Sequence, residues 1–191
     1  MTVSSLGEML KAFIPASALS NPGASCKEKG KSISFRKEAG DIVHCLDLKE
    51  AIKTWNDWPQ GAASCDCVFI CGQEGRGTFL VLLAELKGDD TQRAMEQILR
   101  TAEVFCKKSP SGFAGGGHGM AKKSPFSPGN RSVNHGKIVL AAIACRSGGR
   151  VGSGWQDEQK RLRNNKIKLL DRQPANKVFT VSELFKEADW K

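Results

Sequence analysis

Glu85 and Lys87 stand one residue apart where the apolar run Phe79-Leu80-Val81-Leu82-Leu83-Ala84 ends, just before a turn at Gly88-Asp89. In an extended strand these two side chains share a face while Leu86 points the other way. Burying an unpaired charge is costly, so the acid and the amine leave the core as one unit. Together, at the end of a rigid strand, they have the chemistry to hold a metal ion and an attacking water. Asp66 adds a second acid. It sits at the start of the strand-like Cys65–Cys71, and Gly72-Gln73-Glu74-Gly75-Arg76-Gly77 has the glycine content of a hairpin turn into the apolar run. Closing that hairpin across Cys71 and Thr78 pairs residues whose numbers total 149, with Asp66 opposite Leu83 and diagonal to Glu85. Shifting each strand by one residue gives a total of 151 and sets Asp66 directly opposite Glu85. Any odd total puts Asp66, Glu85 and Lys87 on one face; an even total sends Asp66 to the other.

The elements that must position these residues follow from periodicity. Asp90 or Thr91 caps a helix to about Lys107, with Ala94, Met95, Ile98, Leu99, Ala102, Phe105 and Cys106 as its buried stripe and Gln97 toward the strand ends. Lys137–Cys145 is apolar on both faces, as in the interior of a mixed or parallel sheet. Upstream, Ser4–Phe13 has a helical stripe, Pro15–Lys31 reads as a loop, Ser32–Arg36 alternates as a strand, and Asp41–Cys45 is apolar without a clear period. Leu48, Ala51, Ile52 and Trp55 form a helical stripe that ends before Pro59. Beyond the long helix, Ser109–Ser132 breaks the composition with Ser, Gly, Pro and Lys. It reads as a flexible insertion, or as a basic flap presenting Lys122, Lys123 and Arg131. Further on, Lys160, Arg161 and Arg163 lie in a basic, helical segment, Lys166–Leu170 alternates like an edge strand, and Val181–Trp190 is a short helix capped by Thr180 or Ser182.

A chain of 191 residues, 40% hydrophobic, can bury one ordinary core, so a single domain over 1–191 with 109–132 as an insertion is expected. Its net charge of +9 favours polyanionic partners, nucleic acid above all. No run of about 18 apolar residues is present and the N-terminus lacks a signal-peptide pattern, which points to the cytoplasm without a membrane span. The seven cysteines fall mostly in apolar segments and read as reduced core thiols. Cys65-x-Cys67-x-x-x-Cys71 downstream of His44-Cys45 does not have knuckle spacing, so zinc is disfavoured. There is no Gly-x-Ser-x-Gly elbow, and Gly115–Gly119 lacks the Lys-Ser/Thr of a phosphate loop.

The order of these elements, with Asp66 on the first strand of a hairpin, Ala84-Glu85-Leu86-Lys87 ending the second and a long helix following, resembles the PD-(D/E)XK nuclease superfamily over roughly Ser32 to Cys145. The family's proline before the Asp is absent, Ser64-Cys65 standing there instead. The resemblance implies a restriction-endonuclease-like α/β fold, a mixed central sheet flanked by helices, and metal-dependent cleavage of phosphodiester bonds, DNA more than RNA. It assigns Mg²⁺, or Mn²⁺ in its place, to Asp66, Glu85 and the Leu86 carbonyl. Lys87 would orient the water, take its proton or stabilise the phosphorus, and Gln97 would join the site, or Gln92 in its place. An extra acid from Glu8 or Glu50 would be the further family feature. Lys122, Lys123, Arg131, Lys160, Arg161 and Arg163 are the candidate nucleic-acid contacts, and a homodimer or larger defence-type assembly is implied. The alternative is a non-catalytic nucleic-acid- or protein-binding module on the same fold.

Overall fold

The computed structural model describes residues 17–18, 24–54, 58, 60–76, 78–86, 91–108, 137–144, 155–165, 167–170 and 176–188. Five strands, β3 (Asp41–Leu46), β4 (Cys67–Gln73), β5 (Thr78–Glu85), β6 (Lys137–Ala144) and β7 (Ile167–Leu169), form one sheet in that spatial order. β3, β4 and β5 pair antiparallel, whereas β5, β6 and β7 pair parallel, so β4 alone runs against the other four. A second sheet has the order β1 (Ser25–Glu28), β2 (Lys31–Phe35), β8 (Lys177–Phe179), with β1 and β2 antiparallel and β2 and β8 parallel. The helices are α1 (Leu48–Thr54), α2 (Thr91–Lys108), α3 (Trp155–Asn164) and α4 (Val181–Ala188).

Side-chain alternation along β4 and β5 divides the core. Val68, Ile70, Phe79, Val81 and Leu83 face one way and pack with Met95, Ile98 and Ala102 of α2, Leu162 of α3 and Ala51 of α1. Phe69, Cys71, Leu80, Leu82 and Ala84 face the other way and meet Ile33 and Phe35 of β2, Phe179 of β8 and Leu184 and Phe185 of α4. One face of the central sheet is therefore covered by helices and the other by a small sheet with one helix.

The strand Ser32–Arg36, expected at the head of the central sheet, belongs to the small one; the edge position is taken by β3, the segment whose period was unclear. β3 is half-buried along much of its length, as an edge strand is, and that blurs its alternation. The helix starts were legible. Asp47 Oδ1 accepts the backbone N–H groups of Lys49 at 3.0 Å and Glu50 at 3.1 Å, capping α1. At α4 the Glu183 N–H donates to Thr180 Oγ1 at 3.2 Å and the Thr180 N–H to Glu183 Oε2 at 2.8 Å, a reciprocal capping box. Among the described residues, no helix is long and apolar enough to cross a membrane. The expected helix at 4–13 and the insertion at 109–132 lie outside the described residues.

Candidate functional site

The β4–β5 ladder pairs Cys67 with Ala84, Val68 with Leu83 and Cys71 with Leu80, so paired numbers total 151. Of the two registers compatible with the sequence, this one shortens the loop to residues 74–77. Gly75 has a φ of +78°, which a side chain would disfavour. Asp66 is a bend one residue before β4, and continuing the ladder by one pair sets it opposite Glu85. Residues opposed in this way have Cα atoms about 4.5–5.5 Å apart.

The Asp66 carboxylate reaches across to the end of β5, where its Oδ2 accepts the Leu86 backbone N–H at 2.8 Å. That bond fixes the direction of the acid with a fully buried residue as donor. Glu85 is 1% exposed, although it carries the carboxylate that ends β5. Its backbone pairs with Ala144 of β6. A carboxylate this deep requires compensation of its charge, by a hydrogen-bonded partner or a cation.

Helix α2 secures the chain just before Asp66. Gln97 Nε2 donates to the Ser64 carbonyl at 2.6 Å, and Thr101 Oγ1 accepts the Cys65 N–H at 3.0 Å while donating to the Gln97 carbonyl at 2.8 Å. Two consecutive backbone groups are thereby tied to one helical turn, and the fully buried Thr101 links them. The Gln97 amide is thus engaged by the segment that carries Asp66. Thr101 and Ser64 were missed from the sequence; a polar residue set inside the apolar stripe of α2 was the available signal.

The charges of both acids bear on the Cys65 thiol. Burial raises the Cys65 thiol to about 12, the hydrogen bond from Thr101 opposes the rise, and the charges of Glu85 and then Asp66 add to it. Cys65 is therefore a neutral thiol, hydrogen-bonded to the Cys67 carbonyl at 3.3 Å.

The cysteines correct a second expectation. Cys26 and Cys67 are joined in a disulfide, with Cα atoms 6.3 Å apart, while Cys45, Cys65 and Cys71 are free. The segment before Lys31 was read as a loop. It forms β1 instead, whose inward side chain at Cys26 meets the face of β4 that carries Cys67. Cys65 belongs to the core on one side of the sheet and Cys67 and Cys71 to that on the other, so the three do not converge. Among the described residues, no cluster of three or more His, Cys, Asp or Glu side chains is arranged for a metal ion. The hairpin site offers two acids, Asp66 and Glu85, both hard oxygen donors of the kind Mg²⁺ takes.

Lys87, Lys122, Lys123 and Arg131 lie outside the described residues. Lys160, Arg161 and Arg163 are exposed on α3 around the fully buried Leu162. Arg161 and Arg163 occupy the last turn of that helix, where cations complement the helix dipole. Glu50 is paired with Lys53 on the exposed side of α1, and Gln92 donates to Glu96 on α2 at 3.1 Å. Glu8 lies outside the described residues. No family model, curated protein or solved structure matches the chain.

Proposed function

We propose that the chain is a Mg²⁺-dependent nuclease of restriction-endonuclease-like fold that hydrolyses phosphodiester bonds, with DNA preferred over RNA. One observation carries this reading: the hairpin register that sets Asp66 against the buried Glu85, with Asp66 oriented by the Leu86 N–H. The order of an antiparallel hairpin, a long helix and a strand parallel to the second hairpin strand agrees with the resemblance, and the net charge of +9 suits a polyanionic substrate.

In this reading Asp66 and Glu85 supply oxygen ligands from adjacent strands, and the backbone at Leu86 closes the site. When bound, a divalent cation supplies a water of lowered pKa and offsets charge on the phosphate. The chain's own work is to hold the two acids rigidly. Register fixes Glu85, the Leu86 N–H fixes Asp66, and the Gln97–Thr101 turn fixes the approach to Asp66. Lys87 stands two residues after Glu85 in the sequence, and its ammonium stabilises the negative charge that gathers on the phosphoryl oxygens as water adds and the P–O bond breaks.

The test is cleavage of plasmid, single-stranded DNA and RNA with Mg²⁺, Mn²⁺ or EDTA, for the wild type beside Asp66→Ala and Lys87→Ala. Metal-dependent cutting lost in both variants is expected. Cutting that survives both substitutions refutes the site, and a wild type that binds nucleic acid without cutting it replaces this reading with the binding module.

A further inference from the structure

The three-stranded sheet has a face that the candidate site does not use. Cys26 pairs with Ile33 and both turn inward, the first to Cys67 and the second into the core. Their neighbours along each strand turn outward. One outward row joins Lys27 to Ser32, whose hydroxyl donates to Asn176 Oδ1 at 3.0 Å. The next joins Ser25, Ser34 and Val178, the last 57% exposed. Arg36 follows just past β2 and is exposed.

Hydroxyls and an amide make up the middle of this face, and their small size lets a polymer backbone come close. Cations frame it. Between Ser25 and Lys37 the chain has five of them, Lys27, Lys29, Lys31, Arg36 and Lys37, against one acid, Glu28. Glu183, held at the start of α4 by Thr180, is the acid that faces Arg36 and Lys177 from the neighbouring element.

We propose that this outer face docks the phosphodiester backbone of duplex DNA, with Lys27 and Arg36 neutralising phosphates and the serine hydroxyls donating to phosphate oxygens. Side chains of these types supply most backbone contacts to DNA. Phe35 and Phe179 point inward, so no outward residue of the three strands offers a ring for an unpaired base to stack on. Recognition is consequently of the backbone and independent of sequence. The disulfide sets the distance to the candidate acids. With Cα atoms of Cys26 and Cys67 6.3 Å apart and one peptide step on each side, the Cα atoms of Lys27 and Asp66 lie within about 14 Å. The proposal rests on the nuclease reading for its choice of partner and not for any cutting.

The experiment measures anisotropy of a labelled duplex of about 20 base pairs in EDTA across a salt titration. The proteins are the wild type, Lys27→Gln/Arg36→Gln, Ser34→Asp and, as a comparison on the helix-covered side, Lys49→Gln/Arg100→Gln at exposed positions of α1 and α2. The Lys27/Arg36 variant is expected to bind about tenfold or more weakly and to lower the slope of log K against log salt by about 1.8, with Ser34→Asp also weakened. The Lys49/Arg100 variant stays within about twofold of wild type. Unchanged affinity and slope in the first two variants, or no binding by wild type, overturns the proposal. So does tighter binding of a single strand of equal length, or of phosphatidylserine vesicles with the same dependence on Lys27 and Arg36. Because EDTA stops metal-dependent cutting, a chain that binds this way but never cuts refutes the nuclease reading alone. One that cuts while Lys27→Gln/Arg36→Gln binds normally refutes this proposal alone.

Discussion

The Leu86 backbone N–H donates to Asp66 Oδ2 at 2.8 Å, so the acid at the start of one hairpin strand is anchored by the backbone at the end of the other. Asp66→Asn keeps an acceptor for that N–H but loses the charge, whereas Asp66→Ala loses both. The alanine variant should be less stable by about 1.5–3 kcal/mol and the asparagine variant much closer to wild type in urea unfolding. On the proposed reading both lose metal-dependent cutting by at least about a hundredfold. A pair that loses activity together while differing in stability separates the ligand role of Asp66 from its structural one.

Thr101→Val removes the acceptor of the Cys65 N–H, a buried group, and should cost about 1–3 kcal/mol. The urea midpoint falls with the slope unchanged, since the folded state stays compact. Gln97→Ala releases the Ser64 carbonyl, and its effect on cutting should appear in kcat with metal affinity reduced in parallel, measured by Mn²⁺ titration. A Gln97→Ala enzyme with normal metal affinity would argue against positioning through Ser64.

Stability should be greatest between about pH 6.5 and pH 9, the ordinary values of the two groups that set the limits. Burial, and then Lys37, lower the pKa of His44, so its contribution is present above the ordinary 6.5 and is lost as pH falls through the lower folded value. The thiols act in the opposite sense. Burial, and then Asp47, raise Cys45 to about 11 from an ordinary 9.0; Cys65 rises to about 12, and Cys71 is raised by burial and then by Asp41 and Cys45. Their contribution is complete below 9.0 and is lost as pH climbs through the folded values. Thermal unfolding across this range checks both limbs, and Cys65→Ala should flatten the alkaline one.

Reduction of Cys26–Cys67 frees a segment with a sequence separation of 41 residues, and the chain-entropy cost is about 4 kcal/mol. Urea unfolding with and without dithiothreitol should show a loss approaching that size. Cys26→Ser without reductant should reproduce it, and equal stability in all three conditions would show that the bond does not restrain the chain.

The parts legible in the sequence are those set by nearby residues. The period of α2, the cap at Thr180 and the odd register of the hairpin all follow from spacings within a few residues or one turn. The small sheet was not legible for the opposite reason. β2 alternates, but it pairs with β8, so that Ser32 bonds to Asn176 across 144 positions, and the 3 residues of β8 are too few to show a period. Cys26 was misread along with β1, because its partner is decided by which sheet face β1 covers. At the site, Asp66 and Glu85 could be paired by counting along the hairpin. The support from Thr101 could not, because it depends on how α2 lies against the chain before β4.

The Cys26–Cys67 bond also gives the polypeptide the topology of a lasso. Its loop contains β2, β3 and α1, and its long tail begins with β4. A break inside the loop at the exposed Gln60-Gly61 therefore leaves a single molecule. The piece bearing the edge strand β3 stays covalently attached to the piece bearing Asp66 and Glu85, and the two separate on a gel only under reducing conditions.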